Sequence, residues 1–307
     1  MTVGSAASVT GPTAATAAGV AGAGGVERSG RAGWPELPRR RVPKRARAPR
    51  VFAIGQELPP GLRWTVRALS VLSPLAAWFA LAASGWVDPT FLPSPAAVWS
   101  AGMEMVRSGD LLTDTAASVR RVAFGFGLAV AISVPLGIAM GSLGVGRAAF
   151  EPVIGLLRYL PASAFIPLLI MWLGLGEPSK IALLVIGVVF FNTLMTADVV
   201  RLVPRDLLDV SSTLGATQWE LLRKVIVPHS LPGIIDAMRV NAAAAWNFVV
   251  VAELIAATSG LGYRIARAQR FLQTDRIFAV LVVIGLIGLA LDVGLRLLRD
   301  SVGRWAA

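Results

Sequence analysis

The chain alternates long apolar runs with short polar ones. Six runs approach the thickness of a bilayer: about Ala68–Trp86, Val122–Gly141, a run that follows Pro161 and ends near Gly176, Ile181–Val200, Ile234–Ala257 and Ile277–Leu298. About 20 apolar residues wound as a helix cross a ~30 Å hydrocarbon core, and a helix satisfies its own backbone hydrogen bonds there. The pattern therefore predicts an all-α polytopic membrane protein with about six transmembrane helices. After the first run, Phe91-Leu92-Pro93-Ser94-Pro95 reads as a turn and Ala96–Val106 as a helix lying along the membrane surface. Gly137 and Gly141 give the second run a small-residue stripe for close packing within the subunit.

One polar stretch between runs four and five is patterned differently. Pro204 suits the start of a short helix, on which Leu207, Val210 and Leu214 share a face. Gly215 supplies a left-handed closure. Thr217 and Glu220 then have the spacing of a capping box for a second helix, whose apolar stripe is Trp219, Leu222 and Ile226. Pro228 is expected to end that second helix. The product is a helix, a glycine turn and a helix between two spans, over about residues 203–232.

Composition strengthens the membrane assignment. Of 307 residues, 55% are hydrophobic and 15% charged, against about 25% charged in soluble domains. The absence of cysteine excludes a disulfide framework and a thiolate metal site, and a single histidine, His229, leaves no basis for a His-based one. No metal, cofactor or catalytic set is expected. The net charge is +11, and residues 1–62 carry nine Lys or Arg against three Glu. This Ala-, Gly- and Pro-rich segment reads as a disordered basic tail, with 63–307 as the membrane domain. The charge points to an anionic membrane surface rather than to nucleic acid. With six spans both termini fall on one side. That side collects 20 Lys or Arg, Arg147 and Arg158 included, against eight on the other. The positive-inside bias makes it cytoplasmic, together with the hairpin. The cluster Arg264, Arg267, Arg270 and Arg276 before the sixth run is the exception.

Polar residues inside spans mark candidate path positions: Asn192, Arg239, Asn241, Trp246 and Glu253. Arg239, Trp246 and Glu253 recur every seven residues on one helix face. A structural reading instead sends Arg239 and Glu253 to opposite membrane boundaries, with Asn241 bonding between helices. A P-loop needs a lysine directly after glycine; Lys44, Lys180 and Lys224 do not follow one. ATP-driven movement would thus need a nucleotide site on another protein. An ATP-independent secondary transporter or channel is the alternative, although the repeated broken helices expected of one are not evident.

The hairpin resembles the "EAA" loop of permease subunits of bacterial ABC importers. That pattern is Glu-Ala-Ala, three residues, Gly, nine residues, then Ile-x-Leu-Pro. Here Asp209, Val210 and Ser211 fill the first slots, Gly215 the glycine, and Val225, Val227 and Pro228 the last. Phe91–Pro95, Arg158–Lys180, Leu214–Pro232 and Ser259–Asp292 resemble the permeases for nitrate, taurine and aliphatic sulfonates. The resemblance spans roughly residues 65–305. It implies a type I importer permease fold in the inner membrane, a permease pair, a separate ABC ATPase and an extracellular or periplasmic solute-binding protein. It also implies that Asp209, Ser211, Leu214, Gly215, Trp219, Leu222 and Pro228 couple the permease to its ATPase.

Overall fold

The computed structural model describes residues 58–304. Most of the expected basic tail, residues 1–57, lies outside the described residues. Among the described residues every regular element is helical. Chain order gives α1 (Pro60–Ala83), α2 (Pro95–Arg107), α3 (Asp110–Ser142), α4 (Gly144–Leu157), a 3-10 turn (Ala162–Phe165), α5 (Ile166–Leu173) and α6 (Glu177–Arg201). The short α7 (Arg205–Thr213) and the single turn α8 (Gln218–Glu220) follow. A π turn (Leu221–Ile226) leads into α9 (Val227–Ala256), then α10 (Leu261–Arg270) and α11 (Thr274–Val302).

Five stretches are long and apolar enough to cross a membrane, and a sixth forms if the bent pair α4–α5 counts as one span. α3, α6 and α9 make the centre. Gly137 and Gly141 press α3 onto α6: a Cβ at Gly137 would stand 2.5 Å from the Thr196 Cβ, and one at Gly141 2.6 Å from the Val200 Cβ. The expected small-residue stripe thus packs within the subunit. Where the backbones approach this closely, a hydrogen-bonded line runs through the core. Asn192 donates to the Ser133 hydroxyl (2.6 Å), and Asn241 donates to the Asn192 carbonyl oxygen (3.1 Å). The paired side chains meet the demand that polar groups in an apolar interior be bonded.

α1 lies at the periphery with none of its apolar window buried. Leu69, Val71, Leu72 and Phe79 are exposed along it, as suits a helix solvated by lipid. Trp78 ties α1 inward. Its indole N–H donates to the Pro93 carbonyl (3.1 Å) and its ring stacks on Phe278. α2 begins as expected, with Ser94 capping the Ala97 amide and Pro95 in the first turn.

Two expectations are corrected. The third span does not begin after Pro161. α5 has eight residues, about 12 Å of helix, too short to cross alone. Only together with α4 does it have the length of a crossing, and the two segments meet at 81°. Pro161 and Pro167 remove backbone donors at the join, so one straight helix cannot continue through it. The second correction concerns Pro228, which does not end the hairpin's second helix. Gln218–Ile255 runs as one 38-residue rod. The π turn immediately before Pro228 shifts the bonding to i→i+5. That wider turn takes up the missing N–H and the bulk of the ring.

Candidate functional site

Polar structure is concentrated at the two ends of the α3–α6–α9 core. One end carries the hairpin. Gly215 has φ +84° with open space around its Cα, so the backbone conformation, not crowding, demands glycine. The Gly215 amide donates to Ser212 O and the Ala216 amide to Ser211 O, both at 3.0 Å, closing α7. The capping box forms as expected: Thr217 Oγ1 accepts from the Glu220 amide, and Glu220 Oε2 accepts from the Thr217 amide. Lys224 braces the Glu220 carboxylate at 2.8 Å.

This turn chemistry holds apolar side chains out of the bundle. Leu214 is 83% exposed, Trp219 66% and Val210 60%. Asp209 is exposed beside them, and the Ser211 hydroxyl folds back onto the Leu207 carbonyl. Leu221, in contrast, is buried, while Leu222 and Pro228 are half-buried. Of the seven expected coupling residues, Asp209, Leu214, Gly215 and Trp219 are exposed, and Ser211, Leu222 and Pro228 are half-buried. The capped turn thus leaves leucine, valine and tryptophan exposed together with Asp209.

The opposite end holds a buried ionic cluster. Arg121, 2% exposed, forms two parallel bonds to Glu177 (Nε and Nη2, 2.7 Å each). Its Nη1 donates to Glu253 (2.5 Å) and to the Ser259 carbonyl (2.8 Å). Glu253 also accepts from the Ser118 hydroxyl (2.8 Å) and the Gly262 amide (2.9 Å). Asp114 accepts from Arg264 (2.6 Å) and the Gly260 amide (2.8 Å). Gly260 sits at φ +118°, and a Cβ there would strike Glu253 and Arg121. The Ser259–Gly262 turn is therefore clamped to α3, and α6 and α9 are joined through one guanidinium.

The candidate path residues stand in different surroundings. Asn192 and Asn241 lie in the mid-core line. Trp246 is buried in the hydrophobic centre with its indole N–H unpaired. Glu253 is 1% exposed inside the ionic cluster rather than reaching for a membrane boundary. Arg239 faces α11, donating to Asp292 through Nε (3.0 Å) and Nη2 (2.7 Å) and to Asp236 (2.8 Å). Asp292 and Arg296 pair as their spacing implies (2.9 Å).

Sequence reasoning missed the role of Arg121, Asp114, Ser118 and Glu177. The signal was present: Asp110, Asp114, Ser118 and Arg121 fall on one face of a helix. Two of the four arginines that made the exception before the sixth span are paired. Arg264 is neutralised by Asp114 and Asp110, and Arg276 by Glu104.

Residues 133–304 match the family described as binding-protein-dependent transport system inner membrane component. The chain belongs to this family. It is a multi-pass inner-membrane permease of the ABC transporter type. The permease is 37% identical over 237 residues to a probable ABC transporter permease protein of Brucella melitensis, covering 77% of this chain and 95% of that one. It is 34% identical over 246 residues to the taurine transport system permease protein of Escherichia coli, covering 78% and 89%. In fold it is similar to a chain of the MetNI methionine ABC transporter solved in inward-facing conformations. That match has TM-score 0.54 at 19% identity, over 60% of this permease and 92% of that chain.

Proposed function

We propose that this permease imports a small organic anion of the sulfonate class, driven by a separate ABC ATPase that docks on the hairpin. The observation that carries the reading is the continuity of Gln218–Ile255. A rod of about 57 Å begins beside the exposed Trp219 and ends at Glu253 in the far ionic cluster. Any displacement of the docked hairpin must tilt α9 as a whole, because a π turn bends a helix without severing it.

In this reading Asp209, Ser211, Leu214, Gly215 and Trp219 meet the ATPase, and Leu222 and Pro228 fix the angle of the rod. Two permease copies related by a two-fold axis enclose the path, and a solute-binding protein delivers cargo at the end holding the ionic cluster. The hairpin and both termini lie on the cytoplasmic side, with residues 1–62 as a cytoplasmic tail. ATP binding closes the ATPase pair and draws the two hairpins together, which shifts the permease between inward- and outward-open states. The buried Asn192, Asn241, Trp246 and Glu253 hold together the helices that flank the path, and Arg239 braces α9 against α11. The sulfonate class rests on the taurine relative.

The test is co-purification. Tagged wild-type permease should bring down one ATPase in stoichiometric amount, and Trp219→Arg should lose it while still inserting in the membrane. Retention of the ATPase by Trp219→Arg, or labelling of a cysteine at position 219 from outside intact cells, would remove the docking surface from the account.

A further inference from the structure

The join between α4 and α5 places a cation beside a cavity. Arg158 and Tyr159 stand at this elbow with Pro161 and Ser163. Together with Phe190 and Phe191 of α6 they line a cavity of about 270 Å³. Its α6 wall, Ile186–Phe191, starts nine residues into a helix of 25 and ends ten before its close, about 14 Å or more from either end. The cavity therefore opens beside the middle of α6 rather than beside either of its ends. Non-helical backbone within a bilayer is tolerated where it lines a hydrated cavity. Arg158 and Tyr159 are exposed at the mouth of this cavity, so the guanidinium stays solvated until something closes over it; burying it then without a counter-charge would cost several kcal/mol or more.

The structure shows Arg158 held but not neutralised. Its Nη2 donates to the Tyr159 hydroxyl (2.9 Å) and the guanidinium lies over the Tyr159 ring at 4.8 Å. Among the described residues no carboxylate pairs with it. Arg121, Arg239 and Arg264 have carboxylate partners; Arg158, like the exposed Arg67 and Arg120, has none among the described residues, but of these three it alone lines this cavity. Ring stacking fixes the plane of the fork and leaves donor edges open. Such a fork matches the face of an oxyanion with two oxygens, and the phenyl rings opposite suit a short alkyl group.

We infer that Arg158, oriented by Tyr159, is the anion-binding residue of a site beside the middle of α6 for a small organic oxyanion, an alkanesulfonate, with Phe190 and Phe191 receiving the alkyl end. This deepens the proposed function and rests on its reading of the cargo as a sulfonate.

The probe is ethanesulfonate, titrated calorimetrically into the full chain reconstituted in nanodiscs with the ATPase that co-purifies. Wild type should bind it. Arg158→Gln should weaken binding by about tenfold or more, Arg158→Lys by less, and the neutral ethyl methyl sulfone should not compete. Equal binding by wild type and Arg158→Gln, or none by wild type, overturns the site. Tighter binding of nitrate than of ethanesulfonate overturns the organic part of the assignment. If Arg158 instead pairs with a carboxylate of a second copy, Arg158→Gln splits the dimer and leaves ethanesulfonate binding unchanged, which also overturns it. ATPase co-purification and ATP hydrolysis are read on the same samples. Their loss from wild type defeats the docking reading alone, and their retention with no effect of Arg158→Gln defeats this inference alone.

Discussion

Glu253→Ala is the most informative perturbation of the permease. The side chain is 1% exposed and satisfies the Arg121 guanidinium, the Ser118 hydroxyl and the Gly262 amide together. Truncation leaves three buried donors short of an acceptor. Glu177 still neutralises Arg121, so the loss belongs at the lower part of the range for breaking a buried pair, about 3 kcal/mol. A chain of this size shifts its unfolding midpoint by roughly 2–4 °C per kcal/mol. A drop of about 6–12 °C is expected in detergent, followed by tryptophan fluorescence at a fixed scan rate. The double variant Arg121→Met with Glu253→Leu removes both partners, and Glu177 keeps Lys180 at 3.2 Å. It should lose less than the sum of the single changes by about 1–3 kcal/mol. Strictly additive losses, or a Glu253→Ala midpoint within 2 °C of wild type, would refute the claim that this cluster clamps α3 to α9.

Further outcomes concern the hairpin and the helix contact. Gly215→Ala should cost about 1 kcal/mol for its left-handed backbone and reduce uptake partially. Gly215→Pro cannot reach φ +84° and also removes the bond to Ser212 O, so it should abolish uptake with normal membrane insertion. Uptake at the wild-type rate by Gly215→Pro would count against the lever. Gly137→Leu forces bulk into the Thr193–Thr196 surface, and overpacking of this kind costs about 1–3 kcal/mol or more. It should lower the unfolding midpoint, whereas leucine at Gly127, with nothing within 4 Å, should leave it unchanged; equal effects would show that α3 does not close on α6 there.

What was readable in the linear chain is what depends on neighbours a few residues away. Apolar run lengths located the apolar parts of α3, α6, α9 and α11, although α3 begins at Asp110 rather than near Val122 and α9 at Val227 rather than near Ile234. The glycine closure and the capping box were legible at Gly215, Thr217 and Glu220 because both motifs are completed within one turn. The absence of a nucleotide loop was equally local. The bent α4–α5 pair was misjudged because a span broken by Pro161 leaves two short runs, neither of which has the length signal of a crossing. The continuation through Pro228 was misjudged because proline ends a helix only when the turn before it keeps the i→i+4 pattern, and a π turn has no sequence signature as strong as proline itself.

The sequence by itself determined an all-helical membrane protein with a capped hairpin between its fourth and fifth spans, since hydrophobic length and turn chemistry are written along the chain. Only the tertiary structure decided which charges are neutralised. Arg121 meets Glu253 across 132 residues and Arg264 meets Asp114 across 150, while Arg158 meets no carboxylate among the described residues. All three are arginines in or beside apolar segments and look alike in one dimension. A buried charge is set by what lies within about 3 Å of it, and that distance exists only after the helices have packed.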